Sequence, residues 1–344
     1  MKYCIYLKKS EPEVSFSSEE HIFPAGIGGI KKLPSEYVSD DCNNDFSSIE
    51  LGFMRNSLIS LPRQFFGPGK RGKLASRYAT KSSISIVSNV DDPNEIELGY
   101  ISLGKPYSIS QIKVNINGTA KFISSSIDDA TKQISDFSSN LTKFANKYIL
   151  IKEEKFADDE FTLGFHEGNW YLGLSNEENQ SQVSNFIQKI IDQKSFENKT
   201  PSVGTMQPKV KLSMQVDEGY FRICAKIIFN YIASIQGQDF ALKKCFDPLR
   251  NWIVKGGENH FAELLSGQAL FKGISFPPQA HKLIITKVDS SLIGYISFYG
   301  DSFSTIVYLC DDFTDPFEIE GFICDWENRR EFRLLEYINT LHER

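Results

Sequence analysis

The stretch Glu19-Glu20-His21-Ile22-Phe23-Pro24 joins a carboxylate directly to an imidazole, and about twenty positions later Cys42-Asn43-Asn44-Asp45 offers amide oxygens beside acids. Breaking a phosphodiester needs a base for the attacking water, a charge sink at the phosphate and leaving oxygen, and a fixed cradle for both. His21 can be the base, because an imidazole titrates near neutrality, at about 6.5 when unperturbed. Glu20 and Asn43 carry oxygen donors suited to a hard cation. Gly28-Gly29 lies between the two groups and allows the tight reversal that would bring them together. Alone, a Glu-His dipeptide is an ordinary surface pair; the order of acid, imidazole, glycines and asparagine gives it interest.

That order resembles the HNH (ββα-metal) endonucleases, specifically those whose signature reads Glu-His-Ile-x-Pro, then Gly-Gly, then Cys-Asn-Asn. The likeness runs over roughly residues 4–50, with a fainter continuation through Phe66-Gly67-Pro68-Gly69-Lys70-Arg71-Gly72-Lys73. It implies a β-hairpin and helix wrapped around one divalent ion, Mg²⁺ or Mn²⁺. By the same resemblance His21 is the general base, and Glu20 and Asn43 are the metal ligands, with Asn44 a lesser candidate on another side of the helix. Many relatives brace the hairpin with a zinc held by two Cys-x-x-Cys pairs. Here the equivalent positions read Cys4, Leu7, Ser39 and Cys42, so no structural zinc is expected. The middle Asn of the family's name has no clear counterpart before Val38.

Between Gly52 and Arg77 the chain carries six Lys or Arg and no Asp or Glu. Arg63, Lys70, Arg71 and Lys73 are candidate contacts to a DNA backbone, because a glycine-rich loop with cations can follow a phosphate chain without reading its bases. The net charge of the whole is −6, so any nucleic-acid contact must be local rather than a matter of bulk charge. His166 and His260 lack partners at metal-ligand spacing. Asp217, Glu218, Arg222 and Lys226 fit the solvated face of a helix.

A chain of 344 residues exceeds one ordinary hydrophobic core. The expected class is α+β, a ββα-metal module followed by mixed antiparallel-sheet and helix domains, with divisions at 1–77, 78–200 and 208–344. Alternation in Ser82–Val90, Ile96–Gly104 and Ser110–Ile123 predicts an antiparallel sheet. Apolar periodicity predicts helices over Ile127–Tyr148, Gln180–Gln193, Glu218–Ile235 and Phe246–Val254. Phe161–Ser175 reads as a hairpin, Thr200–Gln207 as a boundary, and His281–Asp311 as three strands before a terminal helix.

Six scattered cysteines suggest no disulfide scaffold, and no apolar stretch is long enough to span a bilayer. These point to a cytoplasmic protein without a membrane partner. The expected activity is metal-dependent DNA cleavage, RNA not being excluded, in restriction or anti-phage defence. Residues 78–344 would recognise a substrate, a protein partner or a second copy. The alternative is a decayed module of the same type that docks on DNA or acts as a scaffold.

Overall fold

The computed structural model describes residues 2–89, 95–115, 119–125, 129–144, 147–176, 183, 185, 187, 208–210, 216–265 and 273–342. In chain order, α1 (Asp40–Asn56) and α2 (Ser60–Phe66) precede β1 (Ser85–Asn89), β2 (Ile96–Ser102), β3 (Lys105–Ser108), β4 (Ser110–Asn115) and β5 (Ala120–Ile123). Helix α3 (Ala130–Leu141) leads to β6 (Ile149–Lys152), β7 (Glu160–His166), β8 (Asn169–Leu174) and β9 (Pro208–Val210). Then come α4 (Glu218–Gln236), α5 (Asp247–Lys255), β10 (Ala262–Leu265), β11 (His281–Val288), β12 (Ser291–Phe298), β13 (Phe303–Cys310), β14 (Glu320–Asp325), β15 (Arg330–Arg333) and α6 (Leu334–His342). The mixed α+β class holds.

The chain divides into two compact units, one made of 1–80 with 213–344 and the other of 81–212. The segments expected to form separate first and third domains therefore share one unit. The physical reason lies in the core. Ile5, Phe23, Ile27, Phe46 and Phe53 of the N-terminal segment pack in one cluster with Tyr220, Phe229, Leu283, Phe298 and Phe322. Eighty residues bury too little surface to be comfortably stable alone, and the C-terminal segment supplies the remainder.

In this first unit the N-terminal chain makes two small reversals before α1. Cys4 and Lys9 close a knuckle through Cys4 N–H to Lys9 O (2.8 Å), with Tyr3 bridged to Ser10. His21 then bridges Lys32 in antiparallel fashion, with Ile22 N–H to Lys31 O at 3.0 Å and Leu33 N–H to Glu20 O at 2.8 Å. At the tip, Pro24 O accepts from both Ile27 and Gly29. Gly28 sits at φ 99°, and a Cβ on Gly29 would lie 1.9 Å from Phe23 O, so the reversal demands both glycines. In α1, Cys42, Phe46 and Phe53 form the buried stripe, and Asp40 and Asp41 complement the helix N-terminus.

Helix α4 is the axle of the unit. Asp217 caps it, accepting from Tyr220 N–H (2.9 Å), and Gly237 ends it at φ 85°. From Ile223 to Ala233 it is buried all round, against α1 on one side and the six-stranded sheet on another. That sheet is antiparallel throughout, in the order β10-β13-β12-β11-β14-β15. The strands foreseen over 281–311 are β11, β12 and β13, and α5 and α6 lie where helices were expected.

In the second unit the strands foreseen as one sheet belong to two. β1, β2 and β3 pair with β9 in the order β3-β2-β1-β9, whereas β4 and β5 enter a five-stranded sheet, β5-β4-β7-β8-β6. The chain changes sheet at Ile109, whose N–H stays bonded to Leu98 O at 3.0 Å. The hairpin over 161–175 is β7 and β8, while β6 joins β8 in parallel. Helix α3 ends at Leu141, earlier than foreseen, where Asn140 and Thr142 side chains bond back to main-chain carbonyls. Most of 180–193 and all of 200–207 lie outside the described residues.

Candidate functional site

Two elements carry the residues singled out above, the His21–Lys32 reversal and the first turns of α1. They are laced together by short side chains. Asp40 at the start of α1 accepts from Ser15 Oγ (2.6 Å), Ser17 N–H (3.0 Å) and Ser18 Oγ (2.9 Å). These donors hold its carboxyl well below the usual carboxylate range. Asn43 donates from Nδ2 to Ser18 Oγ at 2.8 Å, so its amide ties α1 to the segment entering the hairpin. Asn44 points to solvent.

Glu20 is 5% exposed and its carboxylate receives the ammonium of Lys226 from α4. The same ammonium meets Glu50 of α1, with Nζ to Oε1 at 2.5 Å. Lys226 is fully buried, so the expectation that it faces solvent is overturned: α4 is covered on that side by α1 and the hairpin. Burial alone would lower its pKa, but Glu20 and Glu50 outweigh that and hold the ammonium charged. Burial raises the Glu20 carboxyl; Lys226 opposes this and Glu50 adds to it. One turn further along α4, Asn230 donates from Nδ2 to His21 O (2.9 Å) and accepts from Tyr6 Oη (2.6 Å). Asn230 thus fixes the main chain at His21.

The His21 side chain is partly exposed. Burial and the nearby Lys32 lower its pKa, which favours the neutral imidazole, the form that can accept a proton. Behind it, the turn at 25–29 is braced by the sheet. His281 holds Ile27 O through Nε2 (3.1 Å) while its Nδ1 accepts from Tyr299 N–H (3.2 Å). Complete burial pushes the His281 pKa down to about 3, so it is a structural neutral imidazole.

Cys4, Leu7, Ser39 and Cys42 converge. The Cys4 and Cys42 sulfurs lie 4.0 Å apart, and Cys4 Sγ accepts from Leu7 N–H (3.5 Å), Ser39 N–H (3.4 Å) and Ser39 Oγ (3.4 Å). The Cys42 thiol's bond to Cys4 leads the lowering of the Cys4 pKa to about 5, while Cys42 is pushed up.

Of the expected backbone contacts, Arg63 is corrected. It is 7% exposed, and its guanidinium donates to Gly26 O (2.9 Å) and Gly69 O (3.4 Å), pinning the basic loop to the glycine turn. Lys70, Arg71 and Lys73 are exposed on that loop. Lys73 Nζ lies 4.1 Å above the Tyr78 ring.

A divalent ion held by Glu20 and Asn43 does not fit this arrangement. The Glu20 carboxylate is already engaged by an ammonium, and Asn43, which donates through Nδ2 to Ser18, is left as the one remaining oxygen donor of the expected pair. Among the described residues no group of three or more His, Cys, Asp or Glu could hold a metal ion. Glu50 and Asn230 escaped the sequence reading, which placed Lys226 on a solvated face. The signal for Lys226 and Asn230 is a lysine and an asparagine four apart in an otherwise apolar run, Ile223–Ala233, which marks a helix buried all round rather than an amphipathic one.

No known protein family, curated protein or solved structure matches the chain. Among the described residues no helix is long and apolar enough to cross a membrane.

Proposed function

We propose that the first unit carries a ββα nuclease-type module that engages nucleic-acid backbone and hydrolyses its phosphodiester bonds, with His21 as proton acceptor. The observation that carries this reading is the junction of hairpin and helix. Ser18 joins Asn43 and Asp40 of α1 to the segment that leads into His21, and Asn230 fixes His21 from behind. The four positions equivalent to a zinc knuckle also cluster in space, which supports the same reading. His21 takes a proton from water as the water attacks phosphorus; the phosphorus–oxygen bond to the leaving group breaks, the departing oxygen takes a proton from solvent, and His21 returns its own to solvent. Lys70, Arg71 and Lys73 hold flanking phosphates, with Arg63 positioning their loop. No step is assigned to a divalent ion.

A second reading, docking on nucleic acid without cleavage, is favoured by one specific feature: the acid beside His21 is neutralised by Lys226. Plasmid DNA incubated with the chain in Mg²⁺, Mn²⁺ or chelator separates the two. Cleavage is expected to fall at least about 100-fold in His21→Ala, the usual scale for loss of a general base, with the circular dichroism spectrum unchanged. Cleavage retained in folded His21→Ala rejects His21 as the base. Retardation of DNA on a gel without any incision supports docking instead.

A further inference from the structure

Residues 20, 50 and 226 lie far apart in sequence yet meet at a single nitrogen atom. Bringing two carboxylates together inside a protein is costly unless a cation stands between them, because like charges repel strongly where water is scarce. Here the cation is part of the chain. Glu20 is presented by the hairpin, Glu50 by α1, and Lys226 by α4, with side-chain exposures of 6%, 18% and 0%. We propose that the Lys226 ammonium is the built-in cation of this module, filling the point between Glu20 and Glu50 that a divalent ion would otherwise take. The meaning given to Glu20 rests on the ββα reading above; the three-group arrangement does not.

Geometry makes the two cations alternatives. An ion such as Mg²⁺ needs oxygens at about 2.0–2.1 Å, and a point that close to both carboxylates is already within the reach of Nζ. Nor can the lysine swing aside cheaply. Its helix is anchored one turn later by Asn230, which bonds both Tyr6 and His21, and the Phe46 ring lies 5.1 Å from Nζ. The module would then act on, or dock to, nucleic acid without needing a divalent ion at this position.

Mn²⁺ titration followed by electron paramagnetic resonance tests this on the full chain, with Lys226→Ala, Glu50→Gln and the double variant alongside. The wild-type chain is expected to show no Mn²⁺ binding that Glu50→Gln removes. Lys226→Ala, relieved of its ammonium, is expected to bind one Mn²⁺ at least about tenfold more tightly than wild type, and the double variant to lose that gain. Mn²⁺ held by the wild-type chain and lost in Glu50→Gln overturns the proposal, as does a folded Lys226→Ala with unchanged affinity. Should Lys226→Ala not fold, the comparison of wild type with Glu50→Gln decides alone. Metal binding is read independently of cleavage. A chain that never cuts DNA therefore sinks the hydrolase reading and leaves this one standing.

Discussion

His281 and Lys226 show two ways in which a titratable side chain survives burial. Lys226 keeps its charge because two carboxylates face it; His281 gives its charge up and spends both ring nitrogens on main-chain groups. The second choice has a pH signature. With the folded pKa near 3 and the unfolded value near 6.5, the unfolded chain binds the proton first as acid is added. The stability His281 contributes is therefore complete above about pH 6.5 and is lost as pH falls toward 3, at about 1.4 kcal/mol per pH unit. Chemical denaturation of wild type and His281→Gln at several pH values should show that slope shrinking in the variant. Parallel pH profiles would mean that the ring is not neutral in the fold.

At the scale of elements, the hairpin depends on a close approach of backbone to backbone. A Cβ on Gly29 would meet Phe23 O at 1.9 Å, and that atom cannot turn away as a side-chain end can. Gly29→Ala should cost more than about 1 kcal/mol, the loss typical where the native conformation excludes a side chain, and should disturb the turn that faces Gly72. A thermal melt indistinguishable from wild type would show that the turn accommodates a side chain at this position. The same turn connects distant parts. Gly26 O accepts from Arg63 and Ile27 O from His281, so strain there is felt by the basic loop and by β11. The glycines, the proline and the acid-imidazole pair were legible as a reversal, because turn chemistry is local. That Arg63 would serve the turn and not a phosphate was not legible, since a guanidinium reads identically in sequence whether it points in or out.

For the whole molecule, the decisive feature is a core assembled from both ends of the chain. Residues 1–80 include the hairpin, α1 and α2, yet Tyr6, Phe23 and Phe53 pack their rings on Phe229, His281, Phe298, Phe322 and Tyr220. A fragment ending at residue 80 should be unfolded in isolation, with little ellipticity at 222 nm and no cooperative melt. A cooperative transition from that fragment would show that the N-terminal segment holds a sufficient core of its own. One unit built from two separated segments also places 81–212 as an insertion in chain order.

The sequence by itself determined the local matters: the reversal at Gly28-Gly29, the start of α1 with Asn43 in its first turns, α4 with its terminal Gly237, and the strands β11 to β13. Each follows from periodicity, capping or turn chemistry over a few consecutive residues. Only the tertiary structure decided what fills the centre of the candidate site. Whether Glu20 meets an ion or an ammonium depends on a lysine 206 positions away. Nothing in the neighbourhood of either residue encodes that meeting, because it arises from two segments completing one core that neither could bury alone.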